Sequence, residues 1–347
     1  MQPLARADLI SIFDLEFPKG TQLPPLAIDK SRRENSSPII QRLQASCEWL
    51  FYDDQLFDFD LIDLSKKVPK ARGAVLRVNR KSRVGTFMIW RIERNISDPD
   101  DFKSRTWDQS NDDLDVLSKL CDEPRIERYY PFLAIQAETS DLQKFTSLHA
   151  EELGRLLTGD LEGERSAVLC SYVEEDLSLR SYEKLFLRWT DALAVYSQQI
   201  EEEKYENCVF RALQVFEHCI LARVSLLTLS ARADHLARRL WILTPGKWFE
   251  SRRLFASFSS TEEAFVMYPR VQSVEADRMI SAAHKKFGIE RVASAAEARK
   301  TELQEQLQWA KAQTLGLLAL LSYLFDKIGG WDYLKASAGN AMRHLFR

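Results

Sequence analysis

Helical periodicity in the C-terminal half constrains the fold of this chain more than any other feature. Residues 198–241 contain neither glycine nor proline, and their apolar side chains recur at helical spacing. These positions are Val209, Leu213, Phe216, Ile220, Leu227 and Leu236. Acidic residues Glu201–Glu203 stand at the start and Arg238–Arg239 at the end, which suits the helix dipole. The pattern predicts one long helix.

A second long helix is predicted over residues 289–328, between Gly288 and Gly329–Gly330. Its apolar positions alternate spacings of four and three, the pattern by which one helix packs along another. This oligomer seam comprises Leu303, Leu307, Ala310, Thr314, Leu317, Leu321, Leu324 and Ile328. Its partner is either the first long helix of the same chain or the same helix of a second copy.

The stretch QTLGLLALLSYLFDKIGGW, residues 313–331, is the most apolar in the chain. Its apolar run, Leu315–Phe325, is much shorter than the roughly 20 residues that a membrane-spanning helix needs. Lys311 precedes this run, and Asp326–Lys327 follows it. We therefore expect helix packing in water and no membrane span, with an interfacial or re-entrant segment as the alternative.

Strand-like patterns occur in the N-terminal half. Ala74–Val78 and Val84–Ile92 predict a β-hairpin about the turn Asn79–Ser82, and residues 128–138 predict another strand. Residues 182–198 fit a hairpin slightly better than a helix, and both alternatives remain open. Short helices are predicted at residues 37–52, 147–160 and 273–288, with Leu148, Leu153, Leu156 and Leu157 of the second facing inward.

These patterns predict an α+β fold with two domains. A mixed α/β domain is expected at residues 1–197, followed by an all-helical domain at 198–347 with long antiparallel helices. A net charge of −3 provides no field that would draw the whole chain to nucleic acid or lipid. The five cysteines are widely spaced and form no Cys-x-x-Cys pair, which indicates reduced thiols in the cytoplasm and no zinc site.

Basic residues concentrate in the predicted hairpin, with Phe87 and Trp90 between them. Basic strands with interleaved aromatics are able to hold single-stranded nucleic acid by phosphate contacts and stacking. The nucleic-acid candidates are Arg77, Arg80, Lys81 and Arg83. Acidic residues flank the hairpin on both sides and neutralise its charge, so we favour a solvated structural role and expect no nucleic-acid partner.

Arg211 and His218 are the candidates for catalysis. An arginine followed by a histidine several residues later on a helix resembles the motif of HEPN-type ribonucleases, which act as dimers of helical bundles. The resemblance implies that Arg211 would hold the scissile phosphate while His218 transfers protons. Their spacing puts both on one face of a helix, but Ala212 follows the arginine where that family often has a polar residue. A structural contact beside the seam is the favoured role for both.

Three segments in order carry a second resemblance: HAEELGRLLTG, LSLRSYEKLFLRWTDALAVY and ALQVFEHCILARVSLLTLSARADHL, followed by a leucine-rich long helix. Together they resemble bacterial proteins with CorA-like architecture, over roughly residues 140–330. Channels of the CorA type have an α/β cytosolic domain, long stalk helices and C-terminal transmembrane helices. The Gly-Met-Asn signature of the channel mouth is absent, with IGGWDYL in the corresponding place. The resemblance therefore implies an architecture only, and no functional residue is carried over.

A non-enzymatic scaffold or regulatory protein that forms homo-oligomers through its long helices is the function we favour. The chain has no nucleotide-binding loop, nucleophile elbow or metal-ligand spacing, so no cofactor or metal is expected. The alternatives are a HEPN-type ribonuclease and a CorA-like membrane-associated protein. Each predicts a different behaviour of the purified protein.

Overall fold

The computed structural model describes residues 4–17, 38–50, 59–68, 70–79, 82–96, 113, 119, 125–158, 166–178, 180–188, 190–240, 242–267, 274–327 and 330. Among these residues, a seven-stranded mixed sheet occupies the N-terminal half and the long helices occupy the C-terminal half. The fold class is α+β, as the sequence predicts.

The strands form one sheet in the order β2-β3-β4-β1-β5-β7-β6. Neighbouring strands are antiparallel except β5 and β7, which are parallel. Their bounds are β1 (Leu4–Glu16), β2 (Phe59–Asp63), β3 (Gly73–Asn79), β4 (Val84–Ile96), β5 (Arg125–Ala137), β6 (Glu183–Leu187) and β7 (Ala192–Ser197). The helices are α1 (Pro38–Leu50), α2 (Leu142–Leu148), α3 (Ala150–Thr158), α4 (Ser166–Ser171), α5 (Glu202–Ala237), α6 (Pro245–Glu262), α7 (Val274–Phe287) and α8 (Ile289–Lys327).

Both hairpins are confirmed. β3 pairs with β4 about a turn in which the Arg83 amide donates to the Asn79 carbonyl, and Arg83 adopts a left-handed φ of 59°. β6 and β7 are antiparallel partners, so the helical alternative for this segment is wrong. The inward position predicted for Leu148 is also wrong, because α2 ends there and leaves the side chain exposed.

Each face of the sheet is covered by different helices. On β1, Ala7 and Leu9 lie in a core with Phe145 of α2 and Leu153 of α3. The alternate residue Asp8 faces the opposite side, where it accepts a hydrogen bond of 2.6 Å from the Tyr205 hydroxyl of α5. The sheet is therefore buried on both faces, by α2 and α3 on one side and by α5 on the other.

The described residues form two compact units, and they do not divide at residue 197. The first contains the sheet with α5 up to Thr228 and residues from Ser259 to Ser294; the second contains Leu229–Phe258 and α8 from Ala295 onward. The boundary predicted at residue 197 is thus corrected. Most of α5 belongs to the sheet, since Phe210 packs edge-on to Trp90 and Phe216 packs against Phe132.

Within the second unit, α5 and α8 run in the same direction. Arg299 of α8 pairs with Asp234 of α5, and further along both segments Thr314 bonds to Leu243. The sequence predicts long antiparallel helices, and α5 and α8 differ from that prediction because they are parallel to each other. Between α7 and α8 the chain turns at Gly288, whose φ of 61° is the left-handed conformation that glycine adopts without strain.

Candidate assembly surface

The first half of the seam is covered within the chain. Leu303 and Ala310 are 0% exposed, and Leu307 is half-buried. The Arg299–Asp234 ion pair at 3.4 Å ties this part of α8 to α5. Upstream of Thr314, therefore, the seam has an intramolecular partner.

Thr314 marks the end of this covered region. Its hydroxyl donates to the Ala310 carbonyl at 2.7 Å and accepts from the Leu243 backbone amide at 2.8 Å. The second bond satisfies a backbone donor in the turn that follows α5, and it holds that turn against α8. Beyond Thr314, the side chains of α8 are exposed to solvent as far as Leu324.

The second half of the seam is exposed. Leu317, Leu321 and Leu324 are 40%, 60% and 49% exposed, although they continue the spacing of the buried positions. Leucines on the flanks of the helix are exposed as well: Leu318 and Leu320. An apolar segment of this kind is normally covered, because roughly 25 cal/mol is lost for every Å² of apolar surface left in water.

The first turns of α6, which follow the turn bonded to Thr314, carry exposed aromatic and basic side chains. Trp248 and Phe249 are exposed and meet edge-to-face with ring centroids 5.0 Å apart. The Arg252 guanidinium lies 4.8 Å from the centre of the Trp248 ring, and Arg253 beside it is also exposed. The Lys247 ammonium donates to the backbone carbonyls of Arg239 and Ile242 in the segment that follows α5, so it is engaged locally.

A cleft of about 330 Å³ lies between α5 and α8, lined by charged residues with Trp309 at one side. Arg299 on its wall is paired with Asp234 and with Glu302. These opposite charges compensate one another across the cleft. It offers no concentrated charge to a ligand, and we assign it no binding role.

A buried ionic cluster joins β1 to the start of α5. Glu206 accepts from Arg6, and Arg42 and Arg72 pair with the same carboxylate. Arg6 also binds Asp8 at 2.8 Å, while Asp8 accepts from the Trp90 indole at 2.9 Å. Burial, followed by the proximity of Asp8, raises the pKa of Tyr205 well above its ordinary value. The cluster balances arginines with carboxylates, which indicates a structural role.

Arg77 takes part in a second buried cluster and is not available to nucleic acid. Its guanidinium lies 2.9 Å from Glu217 and donates to Gln214 at 3.1 Å. Thr86 donates to the same Glu217 carboxylate at 2.5 Å. Arg77 is therefore excluded as a nucleic-acid candidate, since a buried guanidinium cannot contact a phosphate backbone, and the solvated role favoured for it is corrected to a buried one.

Of the three other nucleic-acid candidates, one lies within the part of the chain that the structure describes. Arg83 is half-buried, and its Nε donates to the Phe17 carbonyl at 3.1 Å. Arg80 and Lys81 lie outside the described residues. The two candidates that the structure describes, Arg77 and Arg83, therefore form no exposed basic surface on the hairpin.

His218, the candidate for proton transfer, is in the core. Only 1% of its surface is exposed, and its ring stacks on His284 with centroids 5.3 Å apart and planes at 4°. Burial lowers the pKa of His218 well below its ordinary value, and the neighbouring His284 and Arg77 lower it further. Arg211 is half-buried on the same helix. A substrate phosphate has no access to this imidazole.

Comparison with models of protein families, with curated proteins and with solved structures finds no significant match to this chain. Among the described residues, no group of three or more histidine, cysteine or acidic side chains is placed to hold a metal ion. One described helix, α5, is long and apolar enough to cross a membrane, and 89% of its apolar window is buried inside the protein. The exposed half of the seam is accordingly the feature of the described residues on which we base a function.

The sequence located the seam residues but gave no indication of where their cover ends. Heptad spacing is the same on both sides of Thr314, so periodicity alone does not distinguish a covered turn from an exposed one. The aromatic pair on α6 was missed altogether. Its signal is the sequence KWFESRR, in which two aromatics stand among basic residues directly after the break at Pro245.

Proposed function

We propose that the protein is a non-enzymatic scaffold or regulatory protein that self-associates through the second half of the seam. The observation that carries the proposal is the change of exposure along one seam, from full burial at Ala310 to wide exposure at Leu317, Leu321 and Leu324. A second copy presents the same leucines at the same spacing. Self-association through them continues the packing that α5 provides upstream.

Closed symmetry is the usual outcome when one surface pairs with itself. The seam supplies the self-complementary element, and leucines at heptad spacing interdigitate between neighbouring helices. We place the assembly in the cytoplasm, in keeping with the free thiols of Cys170, Cys208 and Cys219. The enclosed position of His218 in the core argues against the ribonuclease alternative.

The test is the mass of the purified full-length chain in detergent-free buffer, measured by size-exclusion chromatography with light scattering. We expect a defined oligomer for the wild type and loss of that oligomer for Leu317→Asp/Leu321→Asp, because two carboxylates cannot be buried in a leucine seam. Circular dichroism checks that the variant keeps its helices. The matched control, Gln304→Asp/Gln308→Asp, places the same charges on exposed positions upstream.

Two results would contradict the proposal. One is a monomeric wild type at every concentration measured. The other is a seam variant that stays folded and retains the wild-type mass. The control variant is expected to keep that mass, which separates loss of the seam from a general effect of added charge.

A further inference from the structure

The face of α8 opposite the seam changes character at Thr314. Upstream it carries exposed polar residues such as Gln304, Gln308 and Lys311. Downstream, Leu315 and Tyr323 are 58% and 59% exposed, and they lie more than about 100° around the helix from Leu317. A helix that assembles in water keeps its outer face polar. Before Thr314 the exposed side chains of α8 are polar residues or alanines, with Trp309 at 51% exposure as the exception. After Thr314 the outer face of α8 is apolar, and assembly through the seam does not cover it.

The start of α6 lies at the level where this apolar face begins. The hydrogen bond from the Leu243 amide to Thr314 fixes the turn preceding α6 beside α8. Trp248 and Phe249 follow about one helical turn later, with Arg252 and Arg253 exposed on the next turn. Aromatic rings beside basic groups at the edge of an apolar segment are typical of a protein that meets the headgroups of a bilayer.

We propose that this end of the protein docks on an anionic lipid bilayer. The outer face of Leu315–Phe325 enters the acyl region, Trp248 and Phe249 lie among the headgroups, and Arg252 with Arg253 pairs with lipid anions. The inference rests on the proposed function, because assembly through the seam covers the other side of α8 and leaves this face exposed. The partner is lipid, because no charged residue stands between Lys311 and Asp326 to meet a polar protein surface.

Helix length limits the depth of docking. The apolar run from Leu315 to Phe325 extends roughly 16 Å along the helix axis. This is about half of the 30 Å hydrocarbon core, and Asp326 with Lys327 follows immediately. Because Asp326 and Lys327 have to stay at the level of the headgroups, α8 meets one leaflet obliquely through its outer face and does not span the bilayer. Anionic lipids on the cytoplasmic leaflet add attraction for each arginine near the surface.

The experiment is flotation of the full-length protein with vesicles of phosphatidylcholine alone and of phosphatidylcholine with phosphatidylserine. Chemical cross-linking before flotation reports assembly in the same samples. We expect flotation with the serine-containing vesicles and a loss of roughly tenfold or more for Leu315→Asp/Tyr323→Asp, which places carboxylates in the acyl region. Gln304→Asp/Gln308→Asp is the matched control and is expected to float like the wild type. A second variant, Trp248→Ser/Phe249→Ser, tests the headgroup contact without altering α8.

The outcomes separate the two proposals. Cross-linked oligomers that do not float overturn the lipid inference and leave the assembly standing. Equal flotation of the wild type and of both test variants also overturns it. A wild type that floats without cross-linking contradicts the assembly while supporting the lipid contact. Circular dichroism of each variant before flotation confirms that a loss of binding is not a loss of fold.

Discussion

At the scale of single residues, the Arg77–Glu217 ion pair holds α5 against strand β3 of the sheet. Both side chains are buried, and Glu217 also accepts from Thr86 and Gln214. A buried charge is tolerated because its partner and its hydrogen bonds compensate for the loss of water. Removing either Arg77 or Glu217 lowers the stability of the fold, because the other residue is then buried without a counter-charge.

We predict that Glu217→Ala lowers the free energy of unfolding by about 3–5 kcal/mol, since it leaves the Arg77 guanidinium uncompensated in the core. The measurement is urea denaturation followed by circular dichroism. Glu305→Ala, at an exposed position within α8, is the control and should change stability by less than about 0.5 kcal/mol. The double variant Arg77→Met/Glu217→Leu should recover most of the loss. Equal stability of Glu217→Ala and Glu305→Ala would contradict the ion pair.

The stacked histidines give stability a pH dependence of defined sign. Burial lowers the pKa of His284 to about 4 and lowers the pKa of His218 well below its ordinary value. Above about pH 7.5, one unit beyond the ordinary pKa of histidine, both rings are almost entirely neutral in the folded and unfolded states, so they contribute almost no slope. As the pH falls from there towards 4, the unfolded chain binds protons that the folded protein does not, and stability is lost.

The expected loss attributable to His284 is about 3 kcal/mol over that window. It is measured as the difference in unfolding free energy between the wild type and His218→Phe/His284→Phe, a comparison in which the carboxylates cancel. The difference should move in favour of the variant as the pH is lowered. A difference that does not change between pH 7 and pH 4 would show that the rings are not protonated on unfolding.

At the scale of elements, α8 is one regular helix with two environments. Its periodicity is continuous, but the seam positions between Ala295 and Thr314 are covered within the second compact unit, whereas the leucines after Thr314 are exposed. The two halves should respond differently to the same kind of substitution. This difference separates the contribution of a residue to the fold from its contribution to assembly.

We predict that Leu303→Ala lowers the unfolding free energy by about 2–5 kcal/mol at any protein concentration, because it leaves a cavity in a buried core. Leu321→Ala should leave the stability of the monomer unchanged and weaken assembly, so its effect on apparent stability should depend on concentration. Urea titrations at a low and a high protein concentration distinguish the two. An effect of Leu303→Ala that vanishes on dilution would assign that residue to the interface instead.

Much of the architecture follows from the sequence, and the exceptions have a common cause. Long helices and hairpins were predictable because their apolar residues keep a simple period. β1 was missed because Arg6, Asp8 and Asp14 interrupt its pattern, although all of them are buried with partners. Arg77 was assigned to the surface for the same reason. Charge pairs formed between distant segments leave no mark on local periodicity.

At the scale of the whole molecule, α5 contributes to the cores of both compact units without a break. Cys219 is buried in the part that lies on the sheet, and Ala233 is buried in the part that belongs to the second unit. The two positions therefore report on different cores along one helix. Burial also raises the pKa of the Cys219 thiol, which keeps it unreactive while the fold is intact.

We predict that a thiol introduced by Ala233→Cys is labelled roughly 30-fold faster or more when Leu303→Ala is also present, because local opening of the second unit becomes less costly. Labelling of Cys219 should accelerate much less. Mass spectrometry of peptides containing each cysteine gives both rates, and the half-buried Cys170 is the internal control. Equal acceleration at both sites would show that the two units open together.

The ion pairs of α5 bear on whether this helix is more stable against the sheet or in a lipid bilayer. Among the described helices α5 alone has the length and hydropathy to cross a bilayer, yet withdrawing it from the sheet would separate Glu206 and Glu217 from their arginines. Removing one member of such a buried pair costs several kcal/mol. Hydropathy therefore does not decide which solvent α5 occupies. The ion pairs of Glu206 and Glu217 favour the position of α5 on the sheet over a position in lipid.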